Sequence, residues 1–509
     1  MKNNKIINFI KEKWLWTLYV LPFMSFCTRN SRVDNDLWFL LNNGRYVFNH
    51  GIPHIDPFTI HKGLHYVMQQ WLSSLCFYSV YRFFGKYGLL TLNIIFFIII
   101  AFILYKLCYL VIKNKTIVVF TNIIILFLST PFIVLRPQSI TYIILLLETY
   151  LLEKYSQNNN SKYLIPLPFL SILLINCHIT MWYFQFIFLI PFIANTIKIK
   201  KVTIANIKLK PLLLVALIMF LVGFLNPYGL EAITFIFKSY GIEKINEIVG
   251  EMKSPVLMEN YVWTINIFLM FLTILILIIN KKCTLDIRHF CFLCGLFFLS
   301  ALHFKTCIYF LIWYSYIFSY LIKDIKIKPK IKNDHILKVL EELKLETTLI
   351  LSTILILLIY LVYSSYMFIN PVLDKTVKYL EANYNIKDIV LFIDYNNGGY
   401  TEFKGIKSYI DPRAELFFKK ANGKKDIFIE LYSMEKYVDN FDFAKFLKEY
   451  NFTHILVPKT NGLYYYLEDS KQYTLEDEIY EYNGDKKPYL KLYVRNDISV
   501  VYNKKVLNN

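Results

Sequence analysis

Long apolar blocks separated by short polar segments fill most of the first 369 residues. Blocks of about 15–25 residues with almost no charge match the length of helix that crosses the roughly 30 Å hydrocarbon core of a bilayer. Helices of soluble proteins alternate an apolar face with a polar one instead. The pattern therefore predicts an α-helical polytopic membrane protein with about 11 spans, at 10–27, 88–112, 116–134, 138–153, 163–177, 180–197, 211–225, 260–280, 287–303, 306–322 and 347–369.

The lysines between the blocks predict the orientation of these spans, because cytoplasmic loops collect Lys and Arg. With a cytoplasmic N-terminus, the inner loops hold the runs Lys198–Lys210 and Lys323–Lys332, whereas the short outer loops hold only Arg136 and Lys305. This agreement is lost if residues 66–84 cross the membrane. We therefore expect that segment to be an amphipathic helix in the outer interface. An odd number of spans then makes the C-terminal part extracytoplasmic.

The C-terminal part, residues 370–509, lacks a membrane-length apolar block. Short apolar runs alternate there with polar helical segments, which is typical of a compact α/β domain. We expect strands at Ile389–Tyr395, Ser408–Ile410, Thr453–Pro458 and Tyr489–Arg495, and helices at 373–384 and 441–450. The chain thus divides into a transmembrane domain, 1–369, and an extracytoplasmic α/β domain, 370–509.

The positive charge of the chain does not indicate a nucleic-acid partner. A formal net charge of +18 would suggest such a partner in a soluble protein. Here the lysines lie in loops, where membrane topology explains them. No internal repeat is evident, which weakens an interpretation as a transporter. The expected surroundings are the lipid bilayer of the cell membrane.

Polar and ionisable residues gather in the segments that we expect on the outer face. The first outer loop, 28–87, carries Asp34, Asp36, Trp38 and Asp56. Later outer segments carry Arg136, His178, Asn226, Tyr228 and Lys305. Each residue alone has a structural explanation, such as a helix end or an interfacial anchor. Together they predict a shared cavity, because ionisable groups at membrane depth are costly and tend to mark one.

This set of side chains fits transfer of a group from a lipid-linked phosphate donor. A cation such as Arg136 or Lys305 would neutralise the leaving phosphate. A carboxylate would take the proton of the attacking hydroxyl. The same residues also fit a binding protein, a flippase or a proton-coupled transporter, and the residues by themselves leave these alternatives open.

The order of several motifs resembles a known family. The first outer loop reads Asp34-Asn35-Asp36-Leu37-Trp38 and then Gly44, Gly51-Ile52-Pro53 with Asp56-Pro57-Phe58, and Gln70-Trp71-Leu72. Arg136-Pro137-Gln138, Asn176-Cys177-His178, Asn226-Pro227-Tyr228-Gly229, Gly398-Gly399-Tyr400 and Asp411-Pro412-Arg413 follow. In this order the motifs resemble GT-C superfamily glycosyltransferases, a group that includes the protein O-mannosyltransferases and the aminoarabinose transferases.

The resemblance implies a GT-C-like fold, a polyprenyl-phosphate-sugar donor, an outer-face active site and an inverting transfer to a glycan or protein acceptor. It implies that Asp36 is the general base and Asp34 a second catalytic carboxylate. The donor-phosphate ligands are then Arg136 and Lys305, and the residues expected at the sugar or acceptor pocket are His178, Asn226, Tyr228, Asp56 and Trp38.

Two residues depart from the motif pattern of the family. Leu40 stands where the related proteins carry a His, and Gln70 stands where they carry a Glu. If those groups supply a metal ligand or a second acid, this chain lacks them. We therefore expect a transfer that requires no cofactor, although the carboxylates leave room for a divalent metal. The alternative is a non-catalytic or flippase-type protein of surface glycan assembly.

Overall fold

The computed structural model describes residues 14–197, 207–239, 249–256, 261–279, 286–323, 334–367, 371–436, 440–480 and 490–498. Its α-helices span Val20–Arg29, Asp36–His50, Trp71–Ile112, Lys115–Ser129, Pro137–Asn158, Leu167–Cys177, Tyr183–Ala194, Leu209–Val222, Leu230–Ser239, Tyr261–Ile279, Ile287–Leu302, Cys307–Ile322, Asp334–Ser365, Pro371–Asn383, Gly398–Phe403, Lys419–Asn422, Ile427–Lys436, Phe443–Tyr450 and Gly462–Tyr466. The strands are β1 (Val390–Phe392), β2 (Lys407–Ser408), β3 (His454–Pro458), β4 (Tyr473–Ile479) and β5 (Leu490–Arg495).

The chain forms two compact units. The helical unit contains the described residues within Met1–Arg32, Tyr87–Asn226 and Val249–Tyr366. The mixed unit contains those within Val33–Lys86, Pro227–Ile248 and Met367–Asn509. The mixed unit therefore combines most of the predicted first outer loop with the C-terminal part of the chain. The division at residue 369 remains a prediction about membrane topology.

Two of the described helices, Trp71–Ile112 and Lys115–Phe132, are long and apolar enough to cross a membrane. Shorter apolar helices of 10–17 residues follow at Ser161–Cys177, Ile179–Ala194, Leu209–Val222, Trp263–Ile276, Ile287–Leu302 and Ile350–Ser365. The number of spans and the interfacial location of residues 66–84 therefore stay predictions. The first long helix contains one non-helical residue, Gly85, with φ 62°, a conformation that favours glycine.

The helical unit exposes large apolar side chains and buries polar ones. Phe120, Ile124 and Phe127 form an outward-facing series on one helix, each about half exposed. Inside, the Trp182 indole N–H donates to the Ser171 hydroxyl over 2.7 Å. Soluble monomers rarely expose continuous apolar surface, whereas lipid accepts it provided that polar groups are satisfied internally. The surface of this unit is that of a membrane protein.

A buried ion pair lies inside the helical unit. Arg288 Nη2 lies 3.3 Å from Glu153 Oε1, and the other Glu153 oxygen accepts a 2.6 Å hydrogen bond from the Tyr316 hydroxyl. Asp286 lies 3.7 Å from the same guanidinium nitrogen. Three helices contribute these side chains, and charges buried at such depth are retained only where they are paired.

The mixed unit is built on a five-stranded sheet of order β2-β1-β3-β5-β4. β1 pairs in parallel with β2 and β3, and β5 pairs antiparallel with β3 and β4. Three of the four strands expected from the sequence are present with shorter bounds as β1, β3 and β5, and the fourth, expected at Ser408–Ile410, is shifted to Lys407–Ser408. The sequence pattern did not reveal β4, because it is an edge strand whose Thr-Leu-Glu-Asp-Glu run is largely exposed and charged residues are typical of sheet edges.

Glycines set the close packing of the mixed unit. A Cβ added at Gly398 would lie 1.8 Å from the Ile410 carbonyl oxygen, and one at Gly399 would lie 3.1 Å from the Phe39 nitrogen. A Cβ at Gly44 would lie 2.0 Å from the Ser74 carbonyl oxygen. Helix Asp36–His50 can therefore pack closely against helix Trp71–Ile112 and helix Gly398–Phe403 only because Gly44 and Gly399 lack side chains.

Candidate functional site

Asp34 and Asp36 lie at the start of helix Asp36–His50 in the mixed unit. The Asp34 Oδ1 atom accepts a 2.9 Å hydrogen bond from the backbone nitrogen of Asp36, so Asp34 initiates the helix as an Asx turn. Asp36 occupies the first helical turn, where the helix dipole stabilises negative charge. Both residues are partly exposed.

Trp38 follows Asp36 by two residues on the same helix and is buried. Its ring packs edge-on against Tyr400 with centroids 4.7 Å apart and lies 5.4 Å from Phe403. Only 6% of its surface is exposed. The double glycine before Tyr400 permits this contact, so the Gly398-Gly399-Tyr400 motif packs onto the helix that carries Asp36. The expected place of Trp38 at the sugar pocket remains a prediction.

Asp56 joins a buried cluster around Arg413, which we call the Arg413 cluster. Arg413 Nη1 lies 2.6 Å from Asp56 Oδ1, and its Nε donates to both oxygens of Asp411, at 2.9 and 3.0 Å. The second Asp56 oxygen accepts from the Thr59 backbone nitrogen and hydroxyl, at 3.0 and 2.7 Å. Glu402 Oε2 lies 3.7 Å from the guanidinium. The motifs that contain Asp56 and Arg413 therefore meet inside one core.

Opposite effects act on the carboxylates of the Arg413 cluster. Burial raises the pKa of Asp56, but the Arg413 guanidinium and the bonds from Thr59 outweigh it, so the pKa lies below its usual value. Burial and the neighbouring Asp411 carboxylate raise the pKa of Glu402 well above its usual value. The Arg413 guanidinium thus favours the ionised form of Asp56, whereas burial beside another carboxylate favours the neutral form of Glu402.

Tyr228 also lies in the mixed unit, where its hydroxyl is saturated by the first outer loop. The hydroxyl donates to the Pro53 carbonyl over 2.9 Å and accepts from the Met68 backbone nitrogen at 3.0 Å. Three residues on, Glu231 lies 2.6 Å from His65. Tyr228 therefore fixes the Pro53 turn, and its expected role at a sugar or acceptor pocket stays a prediction.

Arg136 belongs to the helical unit and already has an acidic partner. It directly precedes helix Pro137–Asn158, and its Nη1 atom lies 3.2 Å from Glu251 Oε2 and 3.3 Å from Oε1. The Arg136 side chain is 17% exposed and that of Glu251 is 54% exposed. A carboxylate so accessible to solvent is readily displaced, because exposed ion pairs contribute little.

His178, Lys305 and Asn226 surround the same end of the helical unit. The His178 Nδ1 atom lies 2.9 Å from the hydroxyl of Thr141, little more than one turn after Arg136. Burial and the Lys305 ammonium lower the pKa of His178 to about 3, so the imidazole is neutral at pH 7.

Two further hydrogen bonds support this proximity, one between backbone groups and one from the side chain of Asn176. The Phe304 nitrogen donates to the Lys253 carbonyl over 2.8 Å, which brings the turn with Lys305 to the segment with Glu251. The Asn176 amide donates to the Leu225 carbonyl over 2.9 Å, beside Asn226. Four of the nine predicted residues therefore gather within one unit. The other five belong to the mixed unit, and a cavity shared by all nine stays a prediction.

A metal centre would need more ligands than the carboxylate pair supplies. Among the described residues, no group of three or more His, Cys, Asp and Glu side chains could hold an ion. Asp34 and Asp36 contribute two carboxylates near one helix start, which is short of the ligand sets typical of divalent cations. The possible divalent metal therefore stays a prediction.

Sequence reasoning missed two partners that the fold supplies. Glu251 carries no recognisable motif and lies far from Arg136 in sequence, so only the fold reveals their contact. Arg413 was noticed as part of the Asp411-Pro412-Arg413 motif without a role. The occurrence of both this motif and Asp56-Pro57-Phe58 in the family pattern was the available sequence signal for a contact between them.

The comparison with solved structures gives the fold a precedent. No protein-family model matches the sequence, and no curated protein matches it either. The Archaeoglobus fulgidus oligosaccharyltransferase matches in its apo form with a TM-score of 0.52 at 12% identity, over 87% of this chain and 69% of that one. The enzyme with an inhibitory peptide and a dolichol-phosphate, named AglB, matches with 0.54 at 13% over the same shares. The fold is GT-C-like.

A third structure extends this result. It is the same archaeal enzyme tethered to an acceptor peptide that contains the NVT sequon, with a TM-score of 0.52 at 12% identity, over 87% of this chain and 69% of that chain. The GT-C-like fold expected from the order of motifs is thus confirmed. At this level of identity the shared property is the fold, so the reaction of this chain has to be argued from its own residues.

Proposed function

We propose that this chain is a membrane glycosyltransferase that moves a sugar from a polyprenyl-phosphate donor to an acceptor on the outer face of the cell membrane. One observation carries the proposal. A GT-C-like fold covers 87% of the chain, and in it the two carboxylates of the first outer loop stand at the start of one helix. A carboxylate held by a rigid element is suited to proton abstraction.

The proposed reaction is a single inverting displacement. The hydroxyl oxygen of the acceptor attacks the anomeric carbon of the sugar, and Asp36 takes the hydroxyl proton. The bond between that carbon and the phosphate oxygen breaks, and the polyprenyl phosphate leaves with the bonding electrons. Asp34 holds the backbone of Asp36 at the helix start and so positions the base.

The departing phosphate requires positive charge, and the helical unit supplies it. Arg136 is the proposed phosphate ligand, because its partner Glu251 is more than half exposed and exchangeable. Lys305 adds a second cation. The neutral His178 beside it can hydrogen-bond to the sugar or the phosphate without placing a further charge next to Lys305. Asn226 lies beside this group and is a proposed sugar ligand.

The archaeal structures support the choice of a lipid-linked donor, and they are compatible with more than one class of acceptor. One complex contains a dolichol-phosphate, and another contains an acceptor peptide. By analogy, a lipid-linked donor enters from the bilayer and the acceptor enters from the aqueous side. The acceptor proposed for this chain is a glycan or a protein of the cell envelope.

The decisive experiment replaces Asp36 in membranes that contain the full chain. Radiolabelled polyprenyl-phosphate hexoses and pentoses are supplied in turn, and transfer to membrane or added envelope acceptors is measured. We expect Asp36→Asn to lower the rate by about 10²–10⁴-fold, the usual contribution of a general base.

The matched control is Asp34→Asn, which keeps an oxygen that can accept from the Asp36 nitrogen. We expect it to lose far less activity, and both variants are expected at wild-type abundance. Full activity of Asp36→Asn at unchanged abundance would rule out the proposed base.

A further inference from the structure

A cavity of about 220 Å³ opens in the mixed unit between helix Asp36–His50, the Pro57–Phe58 segment and the chain before β2. Its lining is unlike that of the carboxylate site at the helix start. Arg45, His50 and Lys407 contribute groups that carry or can acquire positive charge, and Asn42 and Asn49 contribute amides. Tyr46 and Phe58 form an aromatic wall, with ring centroids 5.5 Å apart.

The hydrogen-bond acceptors of Arg45 do not neutralise the positive charge of its guanidinium. Arg45 is half-buried, and its Nη2 atom donates to the Asn42 side-chain oxygen over 2.7 Å and, more weakly, to the Glu402 carbonyl. Neither acceptor is ionised. Burial lowers the pKa of the Arg45 guanidinium, and no carboxylate pairs with it among the described residues. Glu402 also lines the cavity, and burial together with the neighbouring Asp411 carboxylate raises the pKa of its carboxyl group well above the usual value, which favours the neutral form.

An unused donor is present as well. The Asn42 side-chain nitrogen is buried, and it has no hydrogen-bond partner in the described part of the chain. Buried polar groups are almost always satisfied in native proteins, so a donor of this kind beside a cavity points to a ligand oxygen. Asn42 is 2% exposed, and its own oxygen holds Arg45 in place.

We propose that this cavity binds an anionic saccharide unit. The acidic group would pair with Arg45 and Lys407, because guanidinium groups bind carboxylate and phosphate by paired hydrogen bonds. The ring would pack on Tyr46 and Phe58, and its hydroxyls would meet the amides of Asn42 and Asn49. The volume lies below the roughly 300–1,000 Å³ of pockets for larger ligands, which favours a single small ring.

The proposal concerns binding and does not depend on the transferase activity. The acidic group can be a carboxylate, as in a uronic acid, or a phosphate, as in a sugar phosphate. Both provide an oxyanion attached to a ring with hydroxyl groups, which is the chemistry that the lining recognises. Failure of this site would leave the Asp36 experiment unaffected, because that experiment measures transfer.

The test uses the purified full chain in neutral-lipid nanodiscs. Binding of glucuronic acid, glucose 6-phosphate, glucose and inorganic phosphate is measured by ligand-observed NMR and calorimetry. We expect at least one acidic sugar to bind about tenfold more tightly than both glucose and inorganic phosphate. The acidic sugar that binds more tightly identifies the anionic group.

Substitutions locate the binding. Arg45→Gln is expected to weaken it about tenfold and Lys407→Gln several-fold. Lys407 is exposed, so its replacement keeps the fold. The matched control Lys420→Gln removes an exposed charge outside the cavity and is expected to change nothing. Absence of binding, equal affinity for glucose and both acids, or unchanged affinity in both the Arg45 and Lys407 variants would each overturn the proposal.

Discussion

Two arginines, Arg413 in the mixed unit and Arg136 in the helical unit, both contact carboxylates but differ in how far those carboxylates are exposed to solvent. Arg413 is 3% exposed and is held by Asp56 and Asp411, neither of which has an exposed side chain. Arg136 contacts a carboxylate, that of Glu251, which is more than half exposed. The first arginine is enclosed by its partners, and the second faces a partner that water already reaches.

The difference teaches which charge can exchange partners. Removing one member of a buried pair leaves an uncompensated charge in a low-dielectric interior. Removing an exposed partner costs little, because water replaces it. Arg413 is therefore committed to joining the first outer loop to the C-terminal part of the mixed unit. This contrast is the reason for proposing Arg136, rather than Arg413, as the ligand of the donor phosphate.

The largest expected effect follows from breaking the Arg413 cluster. Arg413→Met should lower the free energy of unfolding of the mixed unit by about 3–5 kcal/mol, because Asp56 and Asp411 would be buried without a counter-charge. Hydrogen exchange of the β3 amides, followed by mass spectrometry, measures this loss. The exposed control Lys420→Met should show wild-type protection, and equal protection in both variants would contradict the commitment of Arg413 to the core.

A smaller effect is expected from replacing Arg136, and it should change the activation free energy of transfer rather than the free energy of unfolding. Arg136→Gln should slow transfer by about 10²–10³-fold, the range for loss of one electrostatic group at a leaving oxyanion. The stability of the helical unit should change by less than about 1 kcal/mol, since the pair with Glu251 is solvent-accessible. Transfer rates and thermal unfolding are measured on the same preparation. Loss of both together would instead make Arg136 a structural residue like Arg413.

The smallest effect is expected at Glu251, the acidic partner of Arg136. Glu251→Gln should lower the KM for the lipid-linked donor by up to about fivefold, because Arg136 no longer exchanges a carboxylate for the phosphate. The kcat should stay near its wild-type value. Donor titrations at saturating acceptor give both constants. A KM that is unchanged or higher would argue against partner exchange at Arg136.

The amount of the fold that the sequence predicted differs between the two units. Segments such as 138–153 and 306–322 are predominantly apolar, so their helices were recognisable and are present as Pro137–Asn158 and Cys307–Ile322. Helix Asp36–His50 was not predicted in the first outer loop, although its residues were singled out for chemistry. Its apolar residues Trp38 and Phe39 pack against Tyr400 and Gly399, more than 350 residues away, and no local pattern reports such contacts.

The sequence by itself determined the apolar helices, the small C-terminal sheet and the motif order of a GT-C-like fold, because periodicity and composition act locally along the chain. The tertiary structure alone decided which charges meet. It enclosed Asp56 with Arg413, gave Arg136 the exposed partner Glu251, and left the Asn42 amide beside a positively charged cavity. Ion pairs and cavities depend on distances between remote segments, and those distances exist only after the helices and strands have packed.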